Sequence, residues 1–179
     1  PEIENYGDPK WRRDEFLLST KVGERFENGM STYDFSRDGK IQSVEQSLHR
    51  LQTEQVDFLF LHVGADDQTV LTDTEAVPTL QEIKARGWTR AIGFSGKTVP
   101  AARSALTWAD ALMVEYHLED QSHQEVMTEA AQRGLTVIVK KGLGSGRLPP
   151  ETSIPFVLKE PSVSSLIIGG LNLDRFKVN

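Results

Sequence analysis

The sequence predicts an α/β fold with a parallel sheet, in the form of a (β/α)8 TIM barrel. Two observations carry that expectation. Six short apolar runs recur along the chain, FLLSTK (16–21), VDFLFLH (56–62), RAIGFS (90–95), ALMVEY (111–116), TVIVKK (136–141) and SSLIIGG (164–170). The stretches between them space apolar residues by three or four, as helices covering a sheet do. An open doubly wound sheet fits this alternation too, but a nucleotide-binding one would carry a GxGxxG or GxxxxGK[ST] turn after its first strand. Neither motif stands there. The barrel is therefore the favoured reading, although it needs two more strands than these runs supply.

The elements follow in order. PEIENYGDPKW opens the chain, with Gly7, Asp8 and Pro9 as a turn signal. After FLLSTK, the polar stretch VGERFENGMSTYDFS reads as a rim loop. Ser36 or Asp38 is placed to cap a helix over about 38–51, striped by Ile41, Val44, Leu48 and Leu51. VDFLFLH is apolar enough for burial on both faces. The segment VGADDQTVLTD reads as a second loop, before a helix near 73–87 with Val77, Leu80 and Ile83 inward and Gly87 as its stop.

RAIGFS precedes a helix near 100–107, with Pro100 in a tolerated first-turn position. ALMVEY leads to a helix near 123–133, closed by Gly134. TVIVKK is followed by the glycine-rich GLGSGRLPP, a short helix near 152–159 and the strand SSLIIGG. Asn172 is placed to cap a last helix.

Composition narrows the function classes. A chain of 179 residues can bury one good core, so one domain over 1–179 is expected. Acidic residues outnumber basic ones 26 to 20, for a formal charge of -6. Basic residues cluster no further than pairs, which argues against a nucleic-acid partner, since such binders need a positive footprint. No apolar run approaches the roughly 18 residues that span a bilayer, so no membrane partner is expected. The absence of cysteine excludes disulfides and thiolate chemistry, and a cytoplasmic location fits. Metal binding is not expected: His49, His62, His117 and His123 lack HExxH spacing, and Asp66-Asp67 make no EF-hand loop.

Functional groups of parallel βα folds collect at the carboxyl ends of the strands. Lys21 and His62 end the first two runs. Lys21 reads either as a solvated strand-end lysine or as an ammonium that tunes a neighbouring acid. His62 reads either as a structural histidine or as an imidazole that donates to a substrate carbonyl. Two glycine-bearing turns are anion candidates. One is GLGSG (142–146) with Lys141 and Arg147; the other is Gly169-Gly170-Leu171-Asn172 opening a helix, with Arg175 one turn on.

Several longer segments together resemble the aldo/keto reductase family: LLSTKVG, YDFSRDGKIQSVEQSLHRLQTEQVDFLFLH, RAIGFS, VEYH, GLGSGRL and IIGGLNLDRFKVN. The resemblance implies a (β/α)8 barrel that uses NADPH, less often NADH, to reduce aldehydes and ketones. Of that family's Asp, Tyr, Lys and His tetrad, it assigns the lysine to Lys21 and the histidine to His62. The tyrosine and aspartate belong upstream of these residues, and Tyr6 is not promoted to the acid. The expectation is of a longer natural protein, whose first two βα units and tetrad partners precede this sequence.

The resemblance also assigns cofactor contacts. Ser95 matches the serine near the nicotinamide carboxamide, while Gly96 and Met113 stand where the family often has amides. Lys140 stands in place of the usual stacking aromatic. Leu143, Gly144 and Ser145 match the pyrophosphate loop. Gly170, Leu171, Asn172, Arg175 and Asn179 fall in the segment that holds the adenosine 2′-phosphate and adenine. The implied function is NAD(P)H-dependent reduction of a small-molecule carbonyl, with NADP(H) as cofactor. The three departures favour the alternative, a noncatalytic nucleotide-binding or structural protein on the same barrel. Substrate identity and oligomeric state stay open.

Overall fold

The computed structural model describes residues 13–64 and 66–169. A 3-10 turn (Arg13–Glu15) leads into β1 (Ser19–Val22), followed by β2 (Glu24–Glu27), β3 (Met30–Tyr33) and α1 (Arg37–Leu51). Then come β4 (Val56–His62), α2 (Asp67–Asp73), α3 (Ala76–Ala85), β5 (Thr89–Ser95) and α4 (Val99–Ala105). The chain continues through β6 (Ala111–Glu115), α5 (Gln124–Gln132), β7 (Thr136–Lys140), α6 (Pro150–Leu158) and β8 (Ser165–Leu166).

Six strands form one sheet in the order β1-β4-β5-β6-β7-β8, and every pairing is parallel. Chain order equals spatial order, which is the path of a (β/α)8 barrel and not of a doubly wound sheet, whose order reverses. Among the described residues β1 and β8 are the two edges of this arc.

Two apolar layers explain why the sheet is covered on one side and lined on the other. Leu59 and Leu61 of β4, Ile92 and Phe94 of β5, Leu112 and Val114 of β6, and Val137 and Val139 of β7 pack outward with helix residues such as Val44, Leu80, Ala102 and Val126. The alternate residues Phe58, Phe60, Ala111, Met113 and Ile138 form a separate inner cluster. Strand side chains alternate between faces, so the next inward positions after Phe60, Met113 and Ile138 are His62, Glu115 and Lys140. Gly93 admits the Phe60 ring: a Cβ there would lie 2.4 Å from Phe60 Cε1 and 2.9 Å from the Ala111 carbonyl oxygen.

Two stretches differ from the sequence reading. Most of the expected rim loop is an antiparallel ribbon, with Glu24 opposite Tyr33 and Glu27 opposite Met30. Asn28 and Gly29 turn it with φ of 51° and 79°, both in the left-handed region that two-residue hairpin turns demand. The second difference concerns the segment read as a loop and a helix over 73–87. Its residues divide into α2 and α3, because the Thr74 hydroxyl donates to the Val70 carbonyl at 2.7 Å and accepts from the Ala76 amide at 3.1 Å. Pro78 then sits in the first turn of α3, where its missing N–H costs nothing.

Ser36 caps α1, its hydroxyl accepting from the Gly39 amide at 3.2 Å. No helix among the described residues is long and apolar enough to cross a membrane. The proposed caps and contacts at Gly170, Leu171, Asn172, Arg175 and Asn179, and Tyr6 with them, lie outside the described residues.

Candidate active site

Lys21 pairs in register with Phe60 on the neighbouring strand, and His62 with Ser95. By parity Lys21, His62, Ser95, Glu115 and Lys140 all project from the carboxyl ends of their strands toward the inner side of the arc. The two residues singled out as chemical groups, Lys21 and His62, are thereby brought to one opening above the Phe60 and Met113 floor.

His62 is half-buried between two partners. Its Nε2 lies 3.1 Å from Glu24 Oε2 on the ribbon, and its Nδ1 lies 3.3 Å from Ser95 Oγ and 3.1 Å from the Ser95 carbonyl oxygen. Burial, then the charges of Lys21 and Lys140, hold its pKa below the ordinary 6.5, against the opposing pull of Glu24. The ring is therefore mostly neutral at pH 7 and carries one N–H.

The hydrogen bonds select the tautomer. Lys140 Nζ donates to Ser95 Oγ at 3.2 Å and to the Gly96 carbonyl at 2.8 Å. The Glu24 carboxylate only accepts, which draws the single imidazole proton to Nε2. Nδ1 then accepts from the Ser95 hydroxyl, free to donate because its oxygen accepts from Lys140, and the Ser95 carbonyl 3.1 Å away, itself only an acceptor, gets no hydrogen bond from the neutral ring. That N–H points at Glu24 and the opening.

Two lysines share this space. Burial lowers the Lys21 pKa, with Glu24 pulling it back up. Burial first, then the charges of Lys21 and Lys141, bring Lys140 down to about 8. Glu115 engages a third lysine, accepting from Lys141 Nζ at 2.7 Å, and stands 3.3 Å from His117 Nε2. Met113, by contrast, is buried in the apolar floor and offers no polar group to the opening.

The loop after β5 is held from below by Asp67, which is fully buried. Its carboxylate accepts from the Lys97 amide, the Thr98 amide and the Thr98 hydroxyl, each at 2.8 Å. Gly96 is a packing requirement of this arrangement, since a Cβ would lie 2.3 Å from Phe94 Cζ and 2.7 Å from Asp67 Oδ2.

The turn after β7 uses left-handed backbone at Gly144, Ser145 and Gly146, with φ of 54°, 60° and 88°. The Gly144 and Gly146 amides close on the carbonyls of Lys141 and Leu143 at 2.7 and 2.8 Å. Arg147 reaches back to the Gly144 carbonyl at 2.9 Å.

Sequence reasoning missed Glu24, Tyr33 and Asp67. The Asn28-Gly29 pair is a hairpin signal that would have placed Glu24 and Tyr33 across from each other. Nothing local marks Asp67, whose partners lie on another loop. Tyr33 is not a substitute for the expected upstream phenol: its hydroxyl reaches Glu24 at 3.4 Å, and burial followed by the Glu24 charge raises its pKa.

A second concavity, about 1110 Å³, lies at the amino ends of the strands and includes Arg13, Phe16, Leu48, Asp57 and Arg90 in its lining. Asp57 there is already paired with Arg13 at 2.7 Å and Arg90 at 3.1 Å. In barrels that face serves stability, so this cavity is not the chemical one. Among the described residues no cluster of His, Asp and Glu could hold a metal ion.

The parallel βα arc brings a lysine, an imidazole and a serine to the carboxyl ends of its strands, where (β/α)8 barrels carry their functional groups. The aldo/keto reductase family model matches residues 3–166, and the chain belongs to that family. It is 31% identical over 153 residues to an L-galactose dehydrogenase of Arabidopsis thaliana, a match covering 78% of this chain and 46% of the relative. It is 29% identical to a D-threo-aldose 1-dehydrogenase of a Pseudomonas species, covering 76% and 49%. The chain thus spans about half the length of the curated relatives it matches.

Among solved structures, a Pseudomonas aeruginosa protein assigned to the aldo-keto reductases superposes with a TM-score of 0.88 at 36% identity, covering 94% of this chain and 67% of that one. The aldo-keto reductase AKR11C1 of Bacillus halodurans shares the fold, with a TM-score of 0.80 at 24% identity over 95% and 68% of the two chains.

Proposed function

We propose that the protein is an NAD(P)H-dependent oxidoreductase that reduces an aldehyde or ketone to an alcohol, with NADP(H) as its cofactor. The observation that carries this reading is the convergence of Lys21 and His62 on one opening, with the Nε2 proton of His62 directed into it. Residues 1–179 belong in this proposal to a single barrel domain, and a cytoplasmic location goes with it.

Each residue has a part. His62 donates Nε2–H to the carbonyl oxygen and holds it in place as alkoxide charge develops. Lys21 lowers the pKa of the phenol that protonates that oxygen. In the family's tetrad a phenol beside the lysine, with its aspartate, completes this arrangement. Ser95 and Lys140 fix the His62 tautomer from behind.

The residues fit the cofactor in two places. Lys140, with the buried Ser95 hydroxyl beside it, would meet a carboxamide. The side chains of Lys141, Ser145 and Arg147 would meet an anion at the turn that carries Leu143, where the Gly144 and Gly146 amides are already closed on backbone carbonyls. Gly170, Leu171, Asn172, Arg175 and Asn179 would hold the adenosine end. When bound, NADPH supplies the hydride that reduces the carbonyl carbon.

The relatives named for L-galactose and D-threo-aldose oxidation support carbonyl–alcohol chemistry. Gly96, Met113 and Lys140 favour a second reading, a noncatalytic nucleotide binder. NADPH consumption by the full-length protein with a panel of aldehydes and ketones separates the two. Carbonyl-dependent loss of NADPH supports the reductase, while NADPH binding without turnover on any carbonyl contradicts it.

A further inference from the structure

The β2–β3 ribbon presents one face to the site, and its side chains make a polar reader. Glu24 and Phe26 alternate onto the same face of β2, and register places Tyr33 opposite Glu24 and Ser31 opposite Phe26. The Glu24 carboxylate is fixed by three groups: the Ser31 hydroxyl, the Tyr33 hydroxyl at 3.4 Å, and His62 Nε2 at 3.1 Å. The Ser31 hydrogen bond, working against burial, keeps its pKa below the ordinary carboxylate value, so it stays ionised at neutral pH. A carboxylate has about four acceptor positions, and these three partners leave room for a further donor.

A carbonyl oxygen that takes the Nε2–H of His62 also takes Glu24's partner away. An apolar aldehyde gives nothing back, and it lays alkyl surface against a carboxylate that has just lost a hydrogen bond. A substrate with a hydroxyl on the carbon next to the carbonyl does otherwise. Its carbonyl oxygen accepts from His62 while its hydroxyl donates to Glu24, so the exchange is balanced. Phe26, 71% exposed on the same ribbon face, offers an apolar surface to the C–H edges of such a molecule.

We infer that Glu24, held by Ser31 and Tyr33, is a specificity-determining residue that reads a hydroxyl adjacent to the reacting carbonyl, so that the substrate class is α-hydroxy carbonyl compounds such as sugars. This rests on the reductase reading above. It makes the ribbon part of the substrate site and not only its rim.

The test compares kcat/KM for glyceraldehyde and propanal in the full-length holoenzyme and in Glu24→Gln and Glu24→Leu. Identical substrate solutions make aldehyde hydration cancel between enzymes. Loss of a hydrogen bond to a charged group lowers the glyceraldehyde-to-propanal ratio by about tenfold to a hundredfold in Glu24→Leu. Glu24→Gln, which keeps an acceptor oxygen without the charge, falls between. A ratio unchanged in both variants, with propanal still reduced, overturns the inference and leaves the reductase reading standing. If neither carbonyl consumes NADPH in the wild-type protein, both fall together.

Discussion

His62 shows how much of an active group's chemistry is decided by neighbours. Its ring nitrogens differ because Ser95 and Glu24 differ, and Ser95 differs because Lys140 donates to it. Asp67 acts at one remove, by fixing the loop that carries Gly96 and follows Ser95. Replacing Asp67 with alanine leaves two backbone amides and a hydroxyl without their buried acceptor. The expected cost is about 1–3 kcal/mol for each buried donor left unsatisfied, with water entry reducing the sum. Chemical denaturation reads it as a lower midpoint with an unchanged slope; a midpoint equal to wild type would show that Asp67 does not hold the loop.

At the scale of elements, what was legible followed from local pattern. β4 was readable because VDFLFLH holds four successive apolar residues, enough for burial on both faces, and His62 was readable at its end. That His62 faces inward with Phe60 follows from the two apolar layers of the structure. The α1 cap was readable because Ser36 precedes a clear apolar stripe. The ribbon was less so: its inward residues Glu24 and Phe26 include a charge, and its outward residues include Met30, so no hydrophobic alternation marks it as strand. Only Asn28-Gly29 signals it. The α2–α3 division depends on a threonine hydroxyl competing for helix backbone, which composition does not reveal. The approach of Glu24 to His62 depends on how the ribbon leans over the sheet, a tertiary matter with no counterpart in residue spacing.

Across the whole molecule, the parallel order of the strands brings distant residues together, and it also buries cations. Lys40, fully buried in α1, donates to the carbonyls of Phe35 and Ser36, the latter at 2.9 Å. Burial brings Lys40 and Lys140 each to about 8 from an ordinary 10.5. Between those values the unfolded chain holds protons that the folded chain has released. Stability from these two groups therefore rises as pH climbs from about 8 toward 10.5, and it is lowest, and flat, below about 8. The Lys40→Met, Lys140→Met protein should show a shallower rise over that window than wild type in denaturant titrations at successive pH values. An equal rise in both proteins would mean that neither lysine is depressed.

The same parallel order places Lys21 beside β4 and leaves its ammonium facing the opening shared with His62. Lys21→Met tests that placement directly, since methionine nearly keeps the length of the stem and removes the charge. In the full-length protein with NADPH and a carbonyl that wild type reduces, kcat/KM is expected to fall by about a hundredfold or more, in the range for loss of a group that tunes proton transfer. A variant that reduces the carbonyl at the wild-type rate would contradict it.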